Sequence, residues 1–167
     1  MTQSSAGQPS PPTTGIARHL TIPFEVLDPT TPIGQVVARR LQDEQLIWLT
    51  TVDANGIPQP LPVTFLWDAA QATFLTYSRT DRGRLADLER NANVALHFDV
   101  SSGDIIVITG TAALSDQDPA SDQIPEWVDK YRELLARLGM SAKQSAASAS
   151  IPVRIRPLTL RYAPNPL

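Results

Sequence analysis

The chain has 167 residues, a formal net charge of −3 and 42% apolar residues, which suits one globular domain with an ordinary core. It lacks a long basic stripe, which argues against a nucleic-acid-binding protein. There is no cysteine, and the two histidines, His19 and His97, are too few for a zinc site. No apolar stretch reaches the roughly 20 residues that span a bilayer, and the N-terminus does not resemble a signal peptide. We therefore expect a cytoplasmic protein that uses neither a membrane nor a metal.

The N-terminal region is polar and rich in proline. Six of the fifteen prolines lie in residues 1–32, and MTQSSAGQPSPPTTG offers almost nothing apolar to bury. We therefore predict a disordered tail over residues 1–20. The segment PIGQVVARRLQDEQ then begins with a proline and places Ile33, Val37 and Leu41 at helical spacing. This pattern predicts a short amphipathic helix.

The rest of the chain alternates between β-rich runs and two helical patterns. Two β-rich runs, roughly 46–53 and 56–67, flank an Asn55-Gly56 pair that favours a hairpin turn. Four more strands are predicted in ATFLTYS, VALHFDV, DIIVITGTAALS and IPVRIRPLTLRY. Helices are predicted in RLADLERN and IPEWVDKYRELLARLG, and we interpret SAKQSAASAS as a connector of small residues. Hairpins and meanders of this kind favour an antiparallel barrel, so the predicted fold class is mainly β.

Three prolines in the second strand, GIPQPLPVTFLW, are spaced by two. Alternate residues of a strand aim their backbone N–H groups at the same edge, so Pro58, Pro60 and Pro62 remove three donors from one edge. We therefore predict a six-stranded antiparallel split β-barrel, open at this strand. Gln59 is the one polar residue on the other face of the strand, where it either satisfies a buried backbone group or points at a ligand.

The segment TYSRTDRGRLADLERN, residues 76–91, concentrates hydroxyl and guanidinium groups at the start of a predicted helix. Backbone amides, hydroxyls and arginines are the groups with which proteins bind phosphate, so one interpretation is an anion clamp. The other interpretation is a solvated first turn, in which Asp81 offsets Arg82, because charged surface clusters usually bind nothing. The residues alone leave both interpretations open.

The order of these segments resembles the pyridoxamine 5'-phosphate oxidase-like FMN-binding split barrels, and more narrowly the branch of enzymes that use the deazaflavin coenzyme F420. The similarity covers roughly residues 33–162. In that branch the third strand is followed by Tyr-Ser-Arg, a spacer, a lysine and an RNP sequence. This chain has Tyr77, Ser78 and Arg79, but Arg84 replaces the lysine and Ala92 the proline. Arginine keeps a cation that can bind phosphate through two bonds.

The resemblance implies a cofactor site, a domain range and an assembly. It implies a split-barrel domain over residues 21–163, a short tail over 164–167, and a homodimer with the cofactor at the subunit interface, where Trp127 or the RIRP strand of the second subunit completes the pocket. The residues that the resemblance assigns to the cofactor phosphate and ring are Ser78, Arg79, Thr80 and Arg84, and Gln59, Pro60 and Val63.

For the activity, the resemblance implies an oxidoreductase that passes a hydride from F420 to a small unsaturated or quinone-like substrate. FMN is the alternative cofactor, because both molecules carry a tricyclic ring and a phosphate. A vitamin B6 oxidase is not expected, because the longer Arg-hydrophobic-Lys pattern is missing. No proton donor stands out: Tyr77 alternates away from Ser78, and His97 is expected on the outer face of its strand. A carrier that binds flavin, deazaflavin or haem without turnover is the remaining alternative.

Overall fold

A computed structural model of the chain describes residues 20–81, 83–100 and 103–164. The predicted N-terminal tail, 1–20, lies outside these ranges except for Leu20, which begins the first strand. The predicted C-terminal tail, 164–167, lies outside them except for Pro164, which ends the last strand.

The described residues form eight strands and four α-helices, with 3₁₀ turns at Phe24–Val26 and Ser121–Gln123. The strands are β1 (Leu20–Pro23), β2 (Leu46–Val52), β3 (Pro58–Thr64), β4 (Leu66–Asp68), β5 (Thr73–Ser78), β6 (Asn93–His97), β7 (Asp104–Leu114) and β8 (Ile151–Pro164). The helices are α1 (Pro32–Asp43), α2 (Arg84–Arg90), α3 (Pro125–Arg137) and α4 (Ala142–Ser148).

All eight strands belong to one curled antiparallel sheet in the order β3-β2-β6-β7-β8-β5-β4, with β1 paired to β8. The predicted fold class, a mainly β antiparallel split barrel with a few helices, is confirmed. The strand count is eight rather than six because β1 adds a strand and the run 56–67 is interrupted at Phe65. On either side of Phe65, β3 pairs with β2 and β4 pairs with β5, so this one segment joins the two edges of the sheet.

The interruption at Phe65 is closed by a side chain of α3. The backbone N–H of Phe65 donates to the hydroxyl of Tyr131 at 2.7 Å, and this hydroxyl lies 2.7 Å from the Phe65 carbonyl oxygen and 2.9 Å from that of Gln45. Since a hydroxyl has one proton, it serves one of the two carbonyls at a time. Tyr131 is 1% exposed, so α3 supplies the polar partner that a neighbouring strand supplies elsewhere.

The sheet has an inner and an outer apolar core. The inner core fills the curl of the sheet and includes Leu49, Phe74 and Ile108, each at most 1% exposed. The outer core lies between β5 and α3 and consists of Leu75, Tyr77, Trp127 and Tyr131. Helix α3 therefore covers the outer side of β5.

The segment SAKQSAASAS forms helix α4, so its interpretation as a connector is wrong. Ser141 accepts a bond from the Gln144 backbone N–H at 3.2 Å, and the Gln144 side chain accepts one from the Ser141 N–H at 2.8 Å. This reciprocal capping box satisfies two backbone donors of the first turn. Its Ser-x-x-Gln spacing is visible in the sequence, and the alanines that follow favour a helix.

Within the described ranges, no helix is long and apolar enough to cross a membrane.

Candidate functional site

Strand β3 lies at the edge of the sheet, as its prolines predict. It pairs with β2 on one side, with Gln59 opposite Thr51 and Leu61 opposite Leu49. Paired residues project their side chains to the same face, and Leu49 is 1% exposed in the inner core. Leu61 therefore lies on the face that continues into the barrel interior, yet it is 37% exposed.

This exposed apolar surface extends along the first half of β3. Ile57, just before the strand, is 53% exposed, whereas Val63, near its end, is 8% exposed and belongs to the inner core. Pro60 is exposed and lies opposite Thr50 on the outer face. The strand thus offers an apolar strip beside an edge that cannot complete a ladder, which is a suitable support for a flat ring.

Gln59 lies on this strip and bonds to the neighbouring turn. Its Nε2 donates to the Asp53 carboxylate at 2.9 Å, so it serves an exposed side chain rather than a buried backbone group. Asp53 also accepts the N–H groups of Ile57 at 3.0 Å and Asn55 at 2.8 Å. The bond from Ile57 is the main cause of a lowered Asp53 pKa, to which the charge of Arg90 contributes. Arg90 ends α2, so the last turn of α2 faces this hairpin.

At its other end, α2 begins beside the predicted anion clamp. Ser78 ends β5, is 3% exposed, and its hydroxyl lies 3.4 Å from the Arg79 carbonyl oxygen, a long bond that a better acceptor can replace. Arg84 is the first residue of α2 and is half-buried. Leu88, one turn later on the same face, is 4% exposed in the inner core, which accounts for the partial burial of Arg84.

The other two clamp residues, Arg79 and Thr80, are exposed. Arg79 binds Asp81 through two bonds, from Nε at 2.9 Å and from Nη2 at 3.0 Å. Asp81 therefore offsets Arg79; the predicted pairing with Arg82 concerns a residue outside the described ranges. Ser78, which is buried, and Arg84, which is half-buried, are therefore the more sheltered residues of the predicted clamp.

Two of the side chains considered as proton donors have structural partners. The Tyr77 hydroxyl donates to the Pro119 carbonyl at 2.6 Å, its ring packs edge-on against Trp127, and burial raises its pKa to about 12. His97 stacks on Trp48, with ring centroids 5.9 Å apart, and it lies on the outer face as expected.

Trp127 is 5% exposed, so it packs in the core of its own chain instead of being presented to a second subunit.

The first arginine of the RIRP strand lies in an ionic network that sequence reasoning missed. Arg154 Nε donates to Asp118 at 2.8 Å, and its Nη1 donates to Asp68 at 2.8 Å and to the Thr73 hydroxyl at 2.9 Å. These partners lie 36, 86 and 81 positions away, so no local pattern indicates them. The second arginine, Arg156, is exposed on the outer face of β8.

A cavity of about 1010 Å³ lies away from the predicted cofactor residues, between α1, α3 and the β4–β5 turn. Its lining includes Phe24, Leu41, Trp67 and Lys130, and none of the seven predicted cofactor residues. Over the described ranges, no group of three or more His, Asp or Glu side chains is arranged to hold a metal ion.

The sheet defines the class of split antiparallel barrels. Residues 33–161 match the family model described as pyridoxamine 5'-phosphate oxidase, and the chain therefore belongs to this family. No curated protein matches the chain.

Several solved structures share the fold. The putative pyridoxamine 5'-phosphate oxidase from Listeria innocua is 22% identical, with a TM-score of 0.56 over 77% of this chain and 95% of that chain. General Stress Protein 26 from Bacillus anthracis str. Sterne is 17% identical, with a TM-score of 0.59 over 81% and 97%. A protein named F420 reductase is 19% identical, with a TM-score of 0.51 over 73% and 94%. At these identities the likeness shows the fold alone.

Proposed function

We propose that the chain is an oxidoreductase that binds F420 at a homodimer interface and transfers a hydride to a small unsaturated or quinone-like substrate. The observation that carries the proposal is the placement of α2. Its first residue, Arg84, follows the buried Ser78 closely in the chain, and its last residue, Arg90, helps to lower the pKa of Asp53 in the hairpin next to the apolar strip on β3. Seven helical residues span about 10 Å, which is the scale of a ring with a phosphate-bearing side chain.

The phosphate of the cofactor would bind Ser78 and Arg84, with Arg79 and Thr80 at the solvent side. Ser78 can donate its hydroxyl to a phosphate oxygen because its present acceptor, at 3.4 Å, is a weak one. Arg84 offers a planar guanidinium, which suits two parallel bonds to phosphate. Arg79 would exchange at least one of its two bonds to Asp81.

The ring would lie along β3, over Ile57 and Leu61 and beside Gln59 and Val63, with the backbone of Pro60 at the strand edge. Covering Ile57 and Leu61 removes exposed apolar surface from water. The Gln59 amide can turn from Asp53, an exposed partner, to the polar edge of a ring. When bound, F420 supplies the hydride, and the protein positions the acceptor and excludes water.

A homodimer is proposed because the outer face of the sheet carries exposed apolar side chains. Trp48 is 38% exposed, Leu46 49% and Leu158 46%. Exposed apolar groups on one face favour self-association, and a two-fold axis buries the same patch of both copies. A second copy on this face would also cover the edge formed by β3.

FMN is the second candidate cofactor, because the family is an FMN-binding family and the clamp suits either phosphate. The preference for F420 rests on the resemblance of the Tyr-Ser-Arg segment, and the fold neighbour named F420 reductase is consistent with it. Calorimetric titration of the chain with F420 and with FMN distinguishes them: tighter binding of FMN overturns the choice of F420.

The clamp is tested by Arg84→Ala and Arg84→Lys. Removing a charge-assisted phosphate contact costs roughly 1.5–3 kcal/mol of binding, or about a tenfold to hundredfold loss of affinity, whereas lysine keeps the charge and loses less. Arg137→Ala, at the exposed end of α3, is the matched control and should bind normally. If Arg84→Ala binds F420 and FMN as well as the unaltered chain does, the clamp is not at this turn.

Enzyme and carrier are separated by single-turnover mixing. The chain is loaded with reduced F420 and mixed with a panel of enones and quinones, and absorbance is followed. Decay of the reduced cofactor that requires an acceptor supports an oxidoreductase. Tight binding with no acceptor-dependent decay supports a carrier.

A further inference from the structure

Lysine is almost absent from this chain. Of the fourteen Lys and Arg residues only two, Lys130 and Lys143, are lysines. Lys143 is exposed on α4. Lys130 is half-buried on α3, with its ammonium nitrogen 4.0 Å from the centroid of the Phe65 ring. The two lysines therefore have very different surroundings.

Lys130 lines the cavity between α1, α3 and the β4–β5 turn. Much of the cavity surface is formed by apolar side chains, which include Phe24, Leu41, Leu66 and Trp67. The volume, about 1010 Å³, is sufficient for a small organic molecule. Trp67 and Ala72 place the cavity at the start of β5, whereas Ser78 lies at its end, about 17 Å away at 3.3 Å per residue. The cavity and the proposed clamp are thus separate sites.

The charged groups near Lys130 are carboxylates. Asp43 and Glu44, at the end of α1, attract its charge through space, and the exposed Glu25, Glu126 and Asp129 line the cavity. Asp129 is paired with Arg132, and no carboxylate of the described residues forms an ion pair with Lys130. Burial outweighs the attraction and lowers the Lys130 pKa to about 8. An appreciable share of this amine is therefore neutral near pH 7.5.

This setting favours a neutral electrophile over an ion. A small anion entering the cavity approaches three exposed carboxylates, and a small cation approaches the Lys130 ammonium. An uncharged molecule with an apolar body can instead pack against Phe24 and Trp67 while a carbonyl group reaches the amine. Amines made nucleophilic by desolvation attack such carbonyl carbons.

We propose that Lys130 is a nucleophilic amine and that the cavity takes small apolar aldehydes, which condense with it to form an imine. The amine lone pair attacks the carbonyl carbon, the carbon–oxygen π bond opens, and one amine proton is transferred to the oxygen. The hydroxyl group of this adduct then leaves with the second amine proton as water, and the nitrogen lone pair forms the carbon–nitrogen double bond. The products are one imine and one water, with no change in oxidation state. The reaction requires no cofactor and does not rest on the proposed F420 site.

The test traps the imine in the full-length chain. The protein is incubated at pH 7.5 with benzaldehyde and cyanoborohydride, which reduces an imine to a stable secondary amine, and the labelled positions are mapped by mass spectrometry. We expect Lys130 to be labelled at least about tenfold faster than Lys143, since a lysine of ordinary pKa is almost fully protonated at this pH. Peptide mapping separates both from the N-terminal amine. Equal rates at the two lysines would refute the proposal.

Variants separate the amine from the cavity. Lys130→Arg keeps the cation over Phe65 but cannot form the imine, so the label at 130 should disappear while that at Lys143 stays. Ala38→Phe, at an exposed cavity-lining position of α1, should slow labelling by benzaldehyde several-fold. Near-ultraviolet circular dichroism checks that both variants fold. If glyoxylate, a charged aldehyde, labels Lys130 as fast as benzaldehyde does, the cavity does not select apolar aldehydes and the proposal is wrong.

Discussion

The outer side of the sheet differs between its two ends. At the covered end, Leu75 and Tyr77 of β5 are 2% and 6% exposed beneath α3. At the open end, formed by the outer side chains of β2, β6 and β7, Trp48 is 38% exposed and Thr109 is also exposed. Both ends carry a tryptophan on the same side of the same sheet, but only Trp127 at the covered end is buried, at 5%.

The comparison shows how a short chain distributes its helices. Each face of a sheet is either covered by an apolar layer or exposed to water. In this chain α3 covers the outer face at β5. The same helix closes the gap at Phe65 through Tyr131, so the covered end is also the end at which the barrel is sealed. At the open end, exposed apolar side chains such as Trp48 would contact a second copy in the dimer proposed above.

The largest expected loss of stability comes from truncating Trp127 in the outer core at the covered end. Trp127→Ala removes a buried indole that contacts Tyr77 and Tyr131, and such truncations cost about 3–5 kcal/mol of unfolding free energy. Urea denaturation followed by circular dichroism, at one protein concentration, measures it. Trp48→Ala is the control at the open end; at a protein concentration low enough for the chain to be monomeric, we expect it to cost less than about 1 kcal/mol, as for a surface substitution. Equal losses for the two tryptophans would remove the distinction between the ends.

The second-largest expected effect comes from removing the Tyr131 hydroxyl that bonds to the Phe65 backbone. Tyr131→Phe keeps the ring but leaves the Phe65 N–H without its hydroxyl acceptor, and an unsatisfied buried donor costs about 1–3 kcal/mol. Tyr77→Phe removes a hydroxyl that makes one bond, to the Pro119 carbonyl, and should lose only about 0.5–1.5 kcal/mol. The same urea experiment ranks the two variants. A smaller loss for Tyr131→Phe would show that the gap at Phe65 does not depend on this hydroxyl.

A third variant tests the open end as an interface. Trp48→Glu places a carboxylate on the exposed patch, so we expect self-association to weaken at least about tenfold, or about 1.4 kcal/mol. Sedimentation equilibrium measures the change, and an unchanged urea midpoint for the isolated subunit shows that the fold is intact. Leu138→Glu, which alters an exposed residue just after α3, is the control. Dimers as stable as those of the unaltered chain would place the interface elsewhere.

The smallest expected effect is the contribution of one carboxylate, Asp118, to the loss of stability in acid. The bonds from Arg154 hold the pKa of Asp118 below its ordinary value, so the unfolded chain takes up a proton more readily than the folded one. The contribution is therefore present above the unfolded pKa and is lost as pH falls through the folded pKa. Thermal unfolding at pH 6 and pH 3 should show a smaller acid loss in Asp118→Asn than in the unaltered chain. Equal losses would mean that this carboxylate is not a source of the pH dependence.

Patterns within a few residues of each other predicted much of the fold. The spacing of Ile33, Val37 and Leu41 indicates α1, and the alternate prolines of β3 indicate an edge strand. Helix α4 has a local signal in the capping box of Ser141 and Gln144, but its run of small residues is equally typical of a linker.

What could not be predicted depends on distant residues. Nothing near Phe65 indicates that its backbone bonds to Tyr131, and nothing near Arg154 indicates Asp68. The candidate site divides in the same way. The clamp turn was visible as a motif, whereas the bonds of Arg79 to Asp81 and of Gln59 to Asp53 depend on which carboxylate the folded chain brings near. The cavity at Lys130 joins segments from three parts of the chain and had no local signal.

The bond that closes the gap at Phe65 also has a kinetic consequence. Tyr131 is 66 positions from Phe65 and 86 from Gln45, and contacts between such distant positions form slowly because a long loop must first close. Strands β3 and β4 also lie at the two ends of the strand order, and an uncovered sheet edge can pair with other chains. The three prolines of β3 lack the donors for such pairing. This edge of the folded sheet is therefore a poor template for pairing with another chain.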